Sequence, residues 1–242
     1  MCERLATDIP SKLLVDVFGL GEHSSTLVRY NIAPSQQIPV VRQYADGQNH
    51  LDYLRWGLIP SWSPEKNISC KLFNTRSETI IETPASREFL MYRRCLVLAS
   101  GFYQPETKEK RSFYFSLKGS SLMVLAGLWD AWKSREGKPV ESCTILTTVS
   151  NNIVGSFQKR MPVILHPHEY QTWLDRGNNE LASLMPLFNP YPSDLMEMTP
   201  VSPVVNSSEY EYSNLTDPVI ESTFQVLQKK HPANLVGVSD VA

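Results

Sequence analysis

The segment Cys95-Leu96-Val97-Leu98-Ala99-Ser100-Gly101-Phe102 is an apolar run with a Ser-Gly pair near its end. A short apolar run of this kind, bounded by turn-forming residues, is typical of a strand in a folded core. We therefore predict one strand over 95–102, which ends at the turn chemistry of Gly101.

Strand-like segments lie on both sides of this run. Ile38–Tyr44 and His50–Trp56 are separated by the turn-forming residues Ala45–Asn49, which predicts a hairpin. The other predicted strands are Leu27–Asn31, Ser112–Leu117, Leu122–Leu128, Cys143–Thr148 and Pro162–Leu165.

Helices are fewer and shorter than strands in this interpretation. The predicted helices are Pro10–Val17, Pro84–Tyr92, His168–Leu174 and Glu180–Leu187. We expect an α+β fold, with a largely antiparallel sheet that is curled or barrel-like and short helices around it. One domain is expected over residues 1–210. Residues 211–242 are expected to wrap the surface and to be mobile at their end, because the chain from Asn189 on is rich in Pro, Ser and acidic residues.

The composition is that of a globular protein, with 242 residues of which 42% are hydrophobic and 20% charged. The sequence contains no run of 18 apolar residues, so no membrane span is predicted. Charges near the N-terminus argue against a secretory signal. We therefore expect a cytoplasmic protein that binds no membrane. The four cysteines, at positions 2, 70, 95 and 143, show no metal-binding spacing, so we expect reduced thiols, no metal and no cofactor.

The charge is unevenly distributed along the chain. Residues 1–160 contain 20 Lys and Arg against 15 Asp and Glu, whereas residues 161–242 contain 3 against 10. The first two thirds could therefore present a basic face to nucleic acid, although a solvated surface with an acidic tail would give the same totals.

Cys2 is a candidate nucleophile at the start of the chain. If Met1 is removed, Cys2 carries a thiol and an α-amine on adjacent carbons, with reference pKa values of roughly 8.5 and 8. Such an aminothiol condenses with an aldehyde to an imine and then closes a thiazolidine ring. The alternative is an ordinary small buried residue.

Polar residues cluster at the ends of several predicted strands. These clusters are Arg29–Pro34, Phe73–Thr79, Ala99–Pro105 and Gln158–Leu165. Each has a structural alternative, such as turn hydrogen bonds, helix caps, or a salt bridge between Arg76 and Glu78.

Together with Cys2, these clusters resemble the SOS-response-associated peptidase family, also described as proteins that shield abasic sites in single-stranded DNA. The resemblance covers about residues 1–210. The segments that carry it are Met1-Cys2, Arg29–Pro34, Trp56–Trp62, Asn74–Thr79, Cys95–Tyr103, Ala126–Trp129, Arg160–Leu165 and Val201–Asn206.

The resemblance implies a role for each matched residue. Cys2 would form a thiazolidine with the ring-opened sugar of an abasic site, and Asn74 would position the amine and the sugar. Loop residue Trp62 would pack against bases, and Thr147 would lie near the sugar. The guanidinium groups that would hold DNA phosphates are Arg76, Arg160 and Arg4.

Several positions depart from the family. Gln104 stands where the family has a catalytic Glu, and Gln158 stands where it has a catalytic His. Glutamine keeps a similar hydrogen-bonding geometry but transfers no proton near neutral pH. Pro105, Glu3 and Ser100 replace a Trp, a Gly and an Asp.

Two functions therefore stay open. Either Cys2 captures abasic sites slowly, or the chain is a divergent, non-catalytic module that binds single-stranded DNA. Peptidase activity beyond removal of Met1 is not supported, because no Cys–His pair has recognisable spacing. We expect a monomer whose partner is single-stranded DNA containing abasic sites, and which joins the nucleoid when DNA is damaged.

Overall fold

The apolar run at Cys95 forms two strands rather than one in the computed structural model, which describes residues 3–21, 24–64, 72–106, 111–133, 137 and 139–219. Strand β6 (Arg94–Ala99) ends before a bend at Ser100, and β7 (Gly101–Glu106) then enters a different sheet. A Cβ on Gly101 would lie 2.4 Å from the Phe115 carbonyl oxygen, so only glycine permits this close approach. The prediction of one strand over 95–102 was wrong because a continuous apolar pattern does not reveal where a chain changes sheets.

The first sheet has five strands in the order β12-β8-β7-β1-β2, and all its pairings are antiparallel. Besides β7, its strands are β1 (Leu5–Thr7), β2 (Arg29–Ile32), β8 (Arg111–Leu117) and β12 (Met196–Val201).

The second sheet closes on itself, because β9 pairs with both β6 and β10. The ring runs β6-β3-β4-β10-β9, and two short strands add to β10, one parallel and one antiparallel. Besides β6, its strands are β3 (Gln37–Gln43), β4 (Asn49–Trp56), β5 (Asn74–Arg76), β9 (Met123–Lys133), β10 (Pro139–Val149) and β11 (Arg160–Pro162).

Apolar side chains divide among three buried clusters that follow the two sheets. One cluster contains residues from both sheets, such as Phe102, Phe115, Val97 and Ile145. A second cluster covers the other face of the ring and contains apolar residues of the peripheral helices. The helices are α1 (Ser11–Phe18), α2 (Ser77–Ile80), α3 (Pro84–Tyr92), α4 (Asn152–Gly155), α5 (Tyr170–Leu174) and α6 (Leu181–Leu184).

These observations confirm the expected α+β class with a barrel-like, largely antiparallel sheet. The hairpin of β3 and β4 is also confirmed, with Gln43 opposite Asn49 across its turn. Strand β12 was not predicted and lies at the edge of its sheet, where Pro200 is tolerated because edge strands need fewer ladder hydrogen bonds. Within the described ranges, no helix is both long and apolar enough to cross a membrane.

Candidate functional site

The strand β5 places two of the predicted site residues beside β10. Asn74 lies opposite Ile145, and Arg76 lies opposite Thr147. Alternate residues of a strand point to the same face, so the Asn74 and Arg76 side chains share one face of the sheet. Asn74 is buried, whereas Arg76 is exposed at the end of the strand.

Hydrogen bonds connect Arg160 on β11 to Thr147 on β10, and Thr147 to Thr75 on β5. Its Nε donates to Thr147 Oγ1 at 3.1 Å, and its Nη2 donates to the Thr147 carbonyl. Thr147 Oγ1 in turn donates to the carbonyl of Thr75 at 3.2 Å. Thr147 is buried, with 1% of its surface exposed. Its hydroxyl therefore orients the guanidinium of Arg160 relative to β5.

The carboxylate of Glu78 is the acidic partner of Arg160. Both terminal nitrogens of the Arg160 guanidinium donate to this carboxylate, with Nη1–Oε1 at 3.1 Å and Nη2–Oε2 at 2.7 Å. The hydrogen bond from Arg160 is the main reason why the pKa of Glu78 is lowered. The ion pair of Glu78 is thus with Arg160, whereas Arg76 acts on Glu78 as a nearby positive charge.

The N-terminal strand lies next to Gln104. The Tyr103 amide donates to the Arg4 carbonyl at 3.0 Å, and Leu5 pairs with Phe102. Gln104 follows Tyr103 directly and is 4% exposed. The predicted nucleophile Cys2 lies outside the described residues. The chain that leads to it nevertheless runs beside the strand that carries Gln104.

Two phenylalanines connect Gln104 to the segment of Gln158. Phe113 pairs with Gln104 across β7 and β8, and its ring centroid lies 4.6 Å from that of Phe157. Gln158 follows Phe157, is partly buried, and accepts from the Lys159 amide through its side-chain oxygen at 3.1 Å. The two glutamines that were predicted to stand in place of an acid–base pair are thus carried by packed elements.

Arg4 directs its guanidinium to the C-terminal part of the chain. Nη2 donates to the Asn206 carbonyl at 2.8 Å, and Nε donates to the Val205 carbonyl at 3.4 Å. Burial lowers the pKa of Arg4. These contacts differ from the phosphate contact that the resemblance implies for this residue.

Trp62 lies apart from the other predicted residues. Its loop is held by the carboxylate of Asp130, which accepts from the Ser61 amide at 2.6 Å. Asp130 pairs with Ser142 of β10. Ser142 is five residues before Thr147 on this strand, so the Cα atoms of Ser142 and Thr147 lie about 17 Å apart. The indole of Trp62 is 69% exposed and lines a cleft of about 760 Å³ together with Tyr92 and Trp129.

The sequence interpretation missed three contacts that build the site. Glu78 was considered only as a partner of Arg76, although a second basic cluster, at Arg160, was available as an alternative. The packing of the Phe113 ring against the tilted ring of Phe157 has no signal in the sequence, because both residues are ordinary core types. Thr75 contributes a main-chain carbonyl, which no residue pattern reveals.

The other described cysteines are not alternative nucleophiles. Cys95 and Cys143 are fully buried free thiols. Burial raises the pKa of Cys95 to about 12 and that of Cys143 well above its usual value, so both stay protonated near neutral pH. No group of His, Cys, Asp or Glu in the described part of the chain is arranged to hold a metal ion.

Comparisons with known proteins show the family and the fold. The family model described as SOS response associated peptidase (SRAP) matches residues 1–208. Abasic site processing protein YoaM of Bacillus subtilis is 38% identical over 228 residues, covering 90% of this chain and 98% of the relative. Abasic site processing protein HMCES of Rattus norvegicus is 31% identical over 243 residues, covering 84% and 67%. A solved structure from Bacteroides thetaiotaomicron has the same fold, with a TM-score of 0.78 at 22% identity, covering 90% of this chain and all of that one.

Proposed function

Because the chain belongs to the SOS response associated peptidase family, we propose that it binds single-stranded DNA and captures abasic sites through Cys2. The observation that carries this proposal is that the predicted site residues lie in two groups. The N-terminal strand lies beside the strand of Gln104, and Asn74, Thr147 and Arg160 lie around β10. The names of the curated relatives support abasic-site DNA as the substrate class.

The proposed reaction needs no external oxidant or reductant. After removal of Met1, the amine of Cys2 attacks the aldehyde carbon of the ring-opened sugar, and loss of one water gives an imine. The thiol sulfur then adds to the imine carbon while the nitrogen takes up the thiol proton, which closes the thiazolidine. The product is a covalent link between the protein and the damaged strand.

The surrounding residues take separate roles in this proposal. Arg76 and Arg160 hold phosphates of the strand, and Arg160 exchanges Glu78 for a phosphate oxygen as DNA binds. Asn74 orients the amine and the sugar. Trp62 stacks on a base farther along the strand, because its loop is held at the position of Ser142, about 17 Å along β10 from Thr147.

The two glutamines favour slow chemistry. Gln104 is buried on β7, where the family would place a Glu, and Gln158 lies where it would place a His. Loss of acid–base help typically lowers a rate by about 10²–10⁴-fold, while the binding residues are unaffected. A non-catalytic module that binds single-stranded DNA is the second candidate, favoured by these same replacements.

A denaturing gel separates the two candidates. The protein, with removal of Met1 verified by mass, is incubated with single-stranded DNA that carries one abasic site. We expect a slow, covalent band shift that Cys2→Ser abolishes, and a rate about 10²-fold higher in the double variant Gln104→Glu/Gln158→His. DNA binding without any Cys2-dependent band would establish the non-catalytic module. An unchanged rate in the double variant would show that these positions are wrongly assigned.

A further inference from the structure

Residues 202–211, here called the strap, follow β12 and cover the outer face of the five-stranded sheet. The strap begins with a 3₁₀ turn over Pro203–Asn206, capped by the side chain of Ser202. Val205 is fully buried in a cluster with Ala6 and Tyr103, on the face opposite to the main core. The strap therefore packs directly on the N-terminal strand and on its neighbour β7.

Arg4 connects the strap to the N-terminus. Its fork of Nε and Nη2 donates to two successive carbonyls, those of Val205 and Asn206. Such a rigid planar fork holds two acceptors in a fixed geometry, whereas a lysine ammonium presents its donors from a single nitrogen without that geometry. Since Arg4 is two residues after Cys2, the Cα atoms of these residues lie within about 7 Å of each other.

The strap is also fixed at its other end. Asn31 Nδ2 donates to the carbonyls of Ser207 and Tyr210, each at 2.8 Å, and Asn31 is fully buried. Glu211 accepts from the amides of Tyr30 and Asn31 and forms an ion pair of 2.9 Å with Arg29. The strap thus links β2 to the N-terminal segment.

The N-terminal strand needs such support because its own ladder is short. Strand β1 has only three residues, and its register against β2 shifts between Leu5 and Thr7. Toward β7 its pairing covers Leu5 and Ala6. A ladder of this length gives little resistance to fraying, which is the usual state of a chain terminus.

We propose that the strap is a positioning element for the N-terminal aminothiol and that Arg4 is the positioning residue through which it acts. This inference rests on the proposed covalent capture. Attack on an aldehyde requires reacting atoms about 3–3.5 Å apart, so a displaced terminus slows capture. DNA affinity is preserved, because Arg76 and Arg160 lie on β5 and β11 of the second sheet, whereas the strap packs on the first.

Two substitutions of Arg4 distinguish positioning from phosphate binding. Arg4→Lys keeps the charge and removes the fork, whereas Arg4→Met removes both. We expect both variants to lower the capture rate by about 10- to 100-fold, with an unchanged salt dependence of DNA binding. The matched control Lys12→Met should change neither quantity. A salt slope reduced by about 1 in Arg4→Met but kept in Arg4→Lys would identify a phosphate contact and overturn the inference.

A second pair of variants tests the far end of the strap. Glu211→Ala removes the anchor at β2, and Glu209→Ala changes an exposed carboxylate two residues earlier. We expect only Glu211→Ala to speed hydrogen exchange of the Tyr103 amide, by about tenfold, and to slow capture of abasic DNA. Thiazolidine formation with a small free aldehyde such as glyoxylate should stay unchanged, since it needs no positioning.

The outcomes separate the two proposals. Unchanged exchange at Tyr103, or faster exchange with an unchanged capture rate, would overturn the strap inference alone. A wild-type protein that reacts with glyoxylate but not with abasic DNA would overturn the proposed function.

Discussion

An arginine with little exposed surface lies near each end of β10, and the difference between their partners distinguishes a structural residue from a proposed DNA-binding one. At the Glu141 end, Arg42 forms ion pairs with Asp52 at 2.7 Å and Glu141 at 2.8 Å, and its guanidinium carbon lies 4.3 Å from the ring of Trp129. At the Thr147 end, Arg160 has Glu78 as its carboxylate partner, and that carboxylate is 50% exposed.

The surroundings of the two guanidinium groups explain why we propose Arg160, and not Arg42, as a contact for DNA phosphate. Burial alone would lower the pKa of Arg42, but the hydrogen bonds that Arg42 donates to Glu141 and Asp52 raise it above its usual value. Two carboxylates neutralise Arg42, so a phosphate gains nothing there. The partner of Arg160 is half in solvent and can be displaced at low cost, because exposed ion pairs contribute only about 0–1 kcal/mol.

The largest expected effect concerns the stability of the Arg42 end. Arg42→Met leaves Asp52 and Glu141 without their cation, and we expect the free energy of unfolding to fall by about 3 kcal/mol. Arg160→Met should lower it by no more than about 1 kcal/mol, because the Glu78 that it leaves is exposed. Urea unfolding of both variants measures this contrast. A larger loss in Arg160→Met than in Arg42→Met would reverse the assignment of the two arginines.

DNA affinity should show the opposite order. Arg160→Met removes one of the proposed phosphate contacts, so we expect about tenfold weaker binding to single-stranded DNA and a salt slope reduced by about 1. Arg87→Met, at an exposed cation on α3, is the control and should leave both values unchanged. Titrations at two or more salt concentrations measure the slope. Equal losses in the two variants would mean that the charge, and not the site, binds DNA.

The contrast also shows how far the sequence alone could lead. Local patterns predicted the hairpin of β3 and β4, because its turn and its alternation lie within 20 residues. The partner of Arg160 could not be predicted, since Glu78 lies 82 residues away and is selected by the pairing of β5 with β10. The place of the Trp62 loop, about 17 Å along β10 from Thr147, follows from another long-range pairing, that of β9 with β10.

Two further misses have a common physical cause. The sheet change at Ser100 depends on the close approach of Gly101 to Phe115, which is a tertiary contact. Strand β12 contains Pro200 and Glu197, residues that disfavour strands on average, yet its place at a sheet edge and its pairing with β8 override that preference. Segments of this kind become visible only when the rest of the sheet is in place.

The smallest expected effect sharpens the comparison at the Arg160 end. Glu78→Gln removes the carboxylate that competes with phosphate, so we expect binding to single-stranded DNA to tighten by about twofold to fivefold, in line with the modest strength of exposed ion pairs. Because Arg160 lowers the pKa of Glu78 below its usual 4.5, the carboxylate stays charged throughout the neutral range, and the gain in DNA affinity should be constant between about pH 6 and 8.

The stabilisation of the fold by the Arg160–Glu78 pair is present above the unfolded pKa of Glu78 and is lost as the pH falls through the lower folded value. Wild type and Glu78→Gln should therefore converge in stability only in acid, as unfolding at several pH values would measure. Affinity that weakens in Glu78→Gln would show instead that Glu78 orients Arg160 for DNA and does not compete with it.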